Sequence, residues 1–326
     1  MRRLLATVAA TAAAALALSA CGTTEPAKES ADKGAEKITL TDSTGAEVEL
    51  DGPAKKVVGT EWNVVETLVT LGVDPVGVAD VKGYSAWDTT VPLKNQPKDI
   101  GTRGEPSMDT VASLSPDLIV ATSDLPAPAV KQLRKVAPVL TVTSADGKDQ
   151  IGRMLENLDL IAKATGTTDE AEKAKKSFET KLADGRKALA DAGLDGASFA
   201  FADGYVQSNQ VSVRPYTSTS LLGAVNERIG LKNAWKVEGD PAYGLGATDV
   251  EGLTALEDGT HFAYIGNGKD ASSDPFGKEL ADNAVWKSLS FVKKGDVHRL
   301  PDGIWMFGGP QSMEAYVDAV VKALTK

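Results

Sequence analysis

The chain has 326 residues, 42% of them hydrophobic and 25% charged, an ordinary globular composition that excludes collagen, a coiled coil and wholesale disorder. Lys+Arg number 35 against Asp+Glu 45, and the net charge of −10 argues against a nucleic-acid partner, because neutralising phosphates takes a basic face. The single cysteine, Cys21, rules out an intrachain disulfide and a cysteine metal cluster. The two histidines, His261 and His298, lie so far apart in sequence that a histidine-based metal site is not expected.

Arg2 and Arg3 precede an Ala/Leu-rich run from Leu4 to Leu18 that is too short to cross a bilayer core of roughly 30 Å. This is the layout of a secretory signal. It ends in Leu18-Ser19-Ala20-Cys21, which resembles the lipobox of bacterial lipoproteins. That resemblance implies a signal peptide over 1–20, acyl chains attached at Cys21, and a membrane anchor on the extracytoplasmic face. Residues 21–37, rich in Thr, Glu, Ala, Lys and Ser, read as a flexible tether.

From Ile38 strands and helices alternate. Ile38–Leu40 and Val48–Leu50 flank a Ser-Thr-Gly turn and predict a small hairpin. Short strands follow at Lys56–Gly59, Val76–Ala79, Leu118–Ala121 and Val139–Val142. Asn63, with Glu66 three residues on, predicts a capped helix ending at Gly72. Ser107 caps a second helix running to Leu114, and Val130–Val136 is a third. This alternation predicts a parallel α/β lobe over 38–145. Ile151, Met154, Leu155, Leu158, Ile161 and Ala162 then recur at helical spacing until Gly166, predicting one long amphipathic linker helix over 146–166. A Lys/Glu-rich helix from Asp169 to Ala192 follows. Alternation restarts with strands at Ser198–Ala202, Val211–Val213, Phe262–Ile265 and Val297–Leu300, and helices at Ser220–Ile229 and Ser312–Leu324. A second α/β lobe over 167–326 is expected, and the fold class is two α/β lobes joined by a single long helix, with a ligand cleft between them.

No nucleophile elbow, P-loop, dinucleotide fingerprint or zinc-protease motif is present, so nothing in the sequence points to an enzyme. His298 sits inside a strand pattern, Val297-His298-Arg299-Leu300, and reads as a surface or hydrogen-bonded residue. Aromatic placement is more informative. Trp, Tyr and Phe number only 5, 6 and 7. Trp62, Tyr84, Trp87, Tyr216, Tyr243, Trp305 and Phe307 fall in segments that follow or interrupt strands, where the ligand crevice of an open α/β sheet lies. Arg103 and Arg214 sit in turn-rich stretches, and each offers a rigid donor fork suited to clustered oxygens.

Several stretches together resemble the iron–siderophore substrate-binding proteins of ABC importers. They are Leu71–Ala79 (LGVDPVGVA), Asp99–Ser107 (DIGTRGEPS), Leu114–Ala121 (LSPDLIVA), Leu231–Trp235, Val285–Leu289 and Trp305–Pro310 (WMFGGP). The resemblance spans 38–325. It implies a class III periplasmic-binding-protein-like fold, no cofactor and no protein ligand to the metal. It also implies a monomer that takes a ferric chelate, of hydroxamate or mixed citrate–hydroxamate type, to a membrane permease. It assigns Trp62, Tyr84, Trp87 and Arg103 to the N-terminal wall of the cleft, and Arg214, Tyr243, Trp305 and Phe307 to the C-terminal wall. The family's hydroxamate binders carry an aromatic in the loop after Leu118–Ala121; here that loop, Thr122–Pro126, has none. Permease docking falls to one acid on each lobe, Asp109 and Glu227. A haem or cobalamin binder of the same transporter class is the alternative, and haem would need an axial ligand such as Tyr84, Tyr216 or Tyr243.

Overall fold

The computed structural model describes residues 37–207, 210–268 and 274–326. The expected signal peptide, Cys21 and nearly all of the tether lie outside the described residues. In chain order the N-terminal lobe contains β1 (Ile38–Thr41), β2 (Glu47–Leu50), β3 (Val57–Gly59), α1 (Trp62–Thr70), β4 (Gly77–Val78), α2 (Val81–Trp87), β5 (Lys98–Asp99), β6 (Gly101–Thr102), β7 (Glu105–Pro106), α3 (Met108–Ser113), β8 (Leu118–Thr122), α4 (Ala127–Leu133) and β9 (Val139–Val142). Two helices follow, α5 (Gln150–Thr165) and α6 (Thr168–Asp191). The C-terminal lobe adds β10 (Ser198–Gln207), β11 (Gln210–Pro215), α7 (Leu221–Arg228), β12 (Lys232–Asn233), β13 (His261–Tyr264), α8 (Ala284–Ser288), α9 (Ser290–Lys294), β14 (Val297–Arg299) and α10 (Pro310–Leu324).

The N-terminal sheet has the order β5-β4-β3-β8-β9, with every pair parallel. The interior strand β8 reads LIVAT and is buried at every position, as a strand covered on both faces must be. Alternation divides its side chains between two cores. Leu118 and Val120 meet Val64 and Leu68 of α1, while Ile119 and Ala121 meet Val111 of α3 and Leu133 of α4. The C-terminal sheet runs β11-β10-β13-β14, with β12 pairing the start of β10; only β10 and β11 are antiparallel.

Helix α5 belongs to both halves. Asp149 opens it, its Oδ1 accepting from Gly152 N at 2.9 Å, and Gly166, at φ 71°, closes it in the left-handed region that favours glycine. Ile151 packs into the C-terminal core, and Leu158, Ile161, Ala162 and Ala164 pack into the N-terminal one. Leu155 touches both. The helix is therefore a bridge whose apolar stripe changes partner at mid-length.

Three local expectations are corrected. Helix α1 is capped by Glu61, whose carboxylate accepts from Trp62 N at 2.8 Å, and not by Asn63. Its Glu66 closes no capping box; it reaches into the other lobe. Residues 81–87, expected as loop, form helix α2, opened by Asp80 Oδ1 accepting from Gly83 N at 3.0 Å. Helix α10 begins at Pro310, which suits a first helical position because its missing N–H would be unpaired there.

Candidate functional site

Four local devices build one wall of a cleft. Strands β6 and β7 pair antiparallel, Thr102 against Glu105, so Arg103 and Gly104 form the tip of a two-residue hairpin. Arg103 reaches back from that tip. Its Nη1 donates to Glu61 Oε1 at 2.8 Å, and its guanidinium lies 4.1 Å from the centre of the Trp62 ring. Trp62 starts α1 and is itself held, its Nε1 donating to the Ala79 carbonyl at 3.2 Å. Gly83 lets α2 lie against it: a Cβ at that position would sit 2.4 Å from Trp62 Cζ2. Trp87 closes α2.

The facing wall comes from the C-terminal lobe. Arg214 on β11 stands directly opposite Asp203 on β10. It grips that carboxylate with two donors, Nε to Oδ1 at 2.8 Å and Nη2 to Oδ2. Tyr216 donates to the same carboxylate at 3.3 Å. Trp305 and Phe307 come from the segment between β14 and α10. Their ring centroids are 5.2 Å apart, and Trp305 meets Trp62 edge-on at 4.8 Å, so the rings of the two lobes join at the cleft floor. Tyr243 stacks edge-on against Phe307 at 5.6 Å and donates its hydroxyl proton to Asp124 Oδ2. Asp124 belongs to the loop after β8, the loop noted for lacking an aromatic. A tyrosine from the opposite lobe reaches it instead.

Seven of the eight expected ligand residues therefore line one recess of about 540 Å³: Trp62, Trp87, Arg103, Arg214, Tyr243, Trp305 and Phe307. The volume suits a small chelate, as binding pockets run roughly 300–1,000 Å³. Tyr84 is the exception. It is fully buried and donates to the Val91 carbonyl at 2.5 Å, beneath Trp62 and Trp305. Burial, with Asp88 and Glu66 nearby, raises its pKa, so it supports the floor and offers nothing to a ligand. Tyr216 is likewise in the core. Glu61, Asn63, Asp203, Leu245 and Met306 also line the recess. Sequence reading did not single out Glu61 or Asp203. Glu61 adjoins Trp62, and Asp203 becomes visible only once the β10–β11 register is known.

A second recess of the same volume, lined among others by Gly147, Lys148, Glu179, Glu227 and Arg228, has no aromatic lining, and so lacks the apolar contact area that distinguishes the first. Glu227 is exposed near the end of α7, and partial burial raises its pKa. Asp109 is exposed in the first turn of α3. Among the described residues, the ring-lined cleft contains neither histidine nor cysteine. Its two lining carboxylates, Glu61 and Asp203, are both engaged by arginines.

Two α/β lobes meeting across a ring-lined cleft, with one helix shared between their cores, define a two-lobed solute-binding protein. Comparison with known proteins places it further: the family model described as "Periplasmic binding protein" matches residues 57–303, and the chain belongs to that family. It is 26% identical to the Fe(3+)-citrate-binding protein YfmC of Bacillus subtilis (strain 168), over 98% of this chain and 96% of that one. It is 28% identical to the iron(3+)-hydroxamate-binding protein FhuD of the same organism, over 95% and 94%. Among solved structures it resembles the siderophore-binding protein FhuD of Vibrio cholerae with Fe3+-Desferal bound. The TM-score is 0.73 at 22% identity, covering 83% of this chain and 98% of that one.

Proposed function

We propose that this protein captures a ferric siderophore of the hydroxamate type, or a mixed citrate–hydroxamate, outside the cytoplasm and hands it to an ABC importer permease. The observation that carries the reading is charge balance in the cleft. Arg103 is paired with Glu61 and Arg214 with Asp203, so among the described residues the charged lining groups sum to zero. A tris-hydroxamate complex of iron(III) is neutral at its core and suits that balance best, a citrate–hydroxamate adds carboxylate charge that the free guanidinium donors would meet, and a tris-catecholate is more strongly anionic and would ask for unpaired cations. The rings supply area at low rotamer cost, and each guanidinium keeps donors free for chelate oxygens. Iron enters already coordinated, as cargo, which fits a cleft without histidine or cysteine. Relatives known as Fe(3+)-citrate- and iron(3+)-hydroxamate-binding proteins support a ferric chelate as the ligand.

The test is tryptophan-quenching titration of the soluble chain with ferrioxamine, ferrichrome, ferric citrate–hydroxamate, a ferric catecholate and haem. Saturable quenching by the hydroxamates, with the catecholate much weaker, is expected. Binding of haem alone would overturn the ligand class.

The anchor and the docking acids belong to the same reading. Lipidation at Cys21 would hold the protein at the membrane, since several acyl chains bind firmly where one does not. Asp109 and Glu227 would meet cationic residues of the permease. Reversing both to Lys is expected to abolish uptake in cells with chelate affinity unchanged, and a loss of affinity with uptake of the residual complex intact would reject them as docking residues.

A further inference from the structure

The chain's two histidines, distant in sequence, meet in the fold. Parallel pairing of β13 with β14 sets Phe262 beside Val297 and Ala263 beside His298. Side chains in a strand alternate between faces. His261 shares a face with Ala263, and Asp296 shares one with His298, so all three lie on the same side of the sheet. His261 Nδ1 is 3.2 Å from Asp296 Oδ1, and His298 Nε2 is 3.9 Å from the same oxygen. One ligand atom from each of the three residues can be chosen so that all lie within 4.8 Å of one another.

We propose that His261, Asp296 and His298 form a binding site for a divalent transition-metal ion of the zinc type, separate from the cleft. None of the three residues lines the cleft. Both facing ring nitrogens, His261 Nδ1 and His298 Nε2, are buried and have no hydrogen-bond partner, although Asp296 is close. A plain His–Asp ion pair would align an N–H with the carboxylate, and buried polar atoms are rarely left unpaired, because each one costs free energy. Lone pairs directed at a shared ion account for this arrangement. Zinc bonds of about 2.0–2.2 Å need donors roughly 3.3 Å apart in a tetrahedral site, which His261 and Asp296 already meet and which His298 reaches with a shift of at most about 1.5 Å. The side chains are 19–32% exposed, leaving room for water to complete the coordination. Two imidazoles and one carboxylate are a borderline donor set, suited to Zn2+, Co2+, Ni2+ or Cu2+ rather than to the hard ferric ion carried as cargo. The bound ion would clasp the start of β13 to β14 and stabilise the lobe by mass action.

Zn2+ and Co2+ titrations of the untagged soluble chain test this at neutral pH. One Zn2+ per chain, visible Co2+ absorption of a low-coordinate site, and a melting temperature raised by a few degrees in excess Zn2+ are expected. His298→Gln and Asp296→Asn should each weaken Zn2+ binding about 100-fold or more and remove the thermal shift, as loss of a ligand should cost at least as much as loss of a supporting group. Their metal-free melting temperatures report whether each variant folds, and either one alone suffices. Siderophore affinity should stay unchanged in both variants, which separates failure of this proposal from failure of the functional reading. Absence of stoichiometric Zn2+ binding, or equal binding by wild type and a folded variant, would overturn the site.

Discussion

At the scale of single residues, Arg103 is fixed before any ligand arrives. Glu61 holds one end of the guanidinium, Trp62 lies under it, and Trp305 is 5.7 Å away. A group held in place loses little entropy when a chelate binds. Arg103→Ala is expected to cost about 2–4 kcal/mol of affinity for a ferric hydroxamate, because charge-assisted bonds are lost and Glu61 is left without its counter-ion. That is roughly 30- to 1,000-fold in Kd. Arg103→Lys should recover only part of it, since an ammonium cannot serve Glu61 and the chelate with one planar fork. Isothermal titration checks both, and wild-type affinity in Arg103→Ala would reject the site. Tyr84, set beside Trp87, shows how a single residue can be misassigned. Both were expected in a loop facing the ligand, but they lie three apart on a short helix, one directed into the core and one at the cleft.

At the scale of elements, the junction between α1 and α10 explains the Gly308-Gly309-Pro310 motif. Glu66 of α1 is fully buried and accepts from Ser312 N at 3.0 Å and from Ser312 Oγ at 2.9 Å. An N-terminal-lobe carboxylate thus satisfies a donor at the start of a C-terminal-lobe helix, where the helix dipole also favours negative charge. The close approach requires glycine: a Cβ on Gly308 would lie 2.1 Å from Glu66 Oε2 and 2.7 Å from Ser312 Cβ. Gly308→Ala is expected to destabilise the protein by about 1–3 kcal/mol, the usual range for overpacking. Denaturant unfolding would show it as a lower midpoint at unchanged slope, and an unchanged midpoint would mean that the junction yields freely.

At the scale of the whole molecule, the lobes are pinned at several points. Besides Glu66 with Ser312, Tyr243 bonds Asp124, Gly147 N donates to the Pro241 carbonyl at 3.2 Å, and the Gly303 carbonyl accepts from Thr89 N and Thr90 N, each at 3.0 Å. With α5 spanning both cores, these contacts oppose wide hinge motion, so ligand entry should need only small lobe displacements. The pin at Glu66 also carries a pH dependence. Burial, together with the neighbouring Glu66 charge, pushes the Asp88 pKa up to about 9, and burial raises that of Glu66. A carboxyl raised in the folded state binds its proton more tightly there than in the unfolded chain. Its contribution to stability is full below the ordinary carboxylate range, near pH 4, and is lost as pH climbs through about 9. The melting temperature should therefore fall between about pH 5 and about pH 10. Asp88→Asn, which cannot ionise, should flatten that fall, and an equally steep fall in this variant would reject Asp88 as the cause.

The amino-acid sequence alone determined the two-lobed α/β architecture, the bridging helix and most of the aromatic and arginine lining. Period-two and period-3.6 patterns and the turn residues are local and survive without knowledge of contacts. The turn-rich stretch that holds Arg103 is marked by Gly101, Gly104 and Pro106, though not as a hairpin, and the linker helix by its stripe from Ile151 to Ala162. Tertiary structure alone decided which strands lie side by side, and through them the chemistry of the partners. Asp203 neutralises Arg214 because of the β10–β11 register, and His261 meets His298 because β13 and β14 are parallel neighbours. Glu66, which reads as half of a local capping box, is buried against Ser312 on the other lobe. Such pairs arise from contacts between residues from 11 to 246 positions apart, and no local pattern encodes which of many possible partners the packed core will bring within a few ångströms.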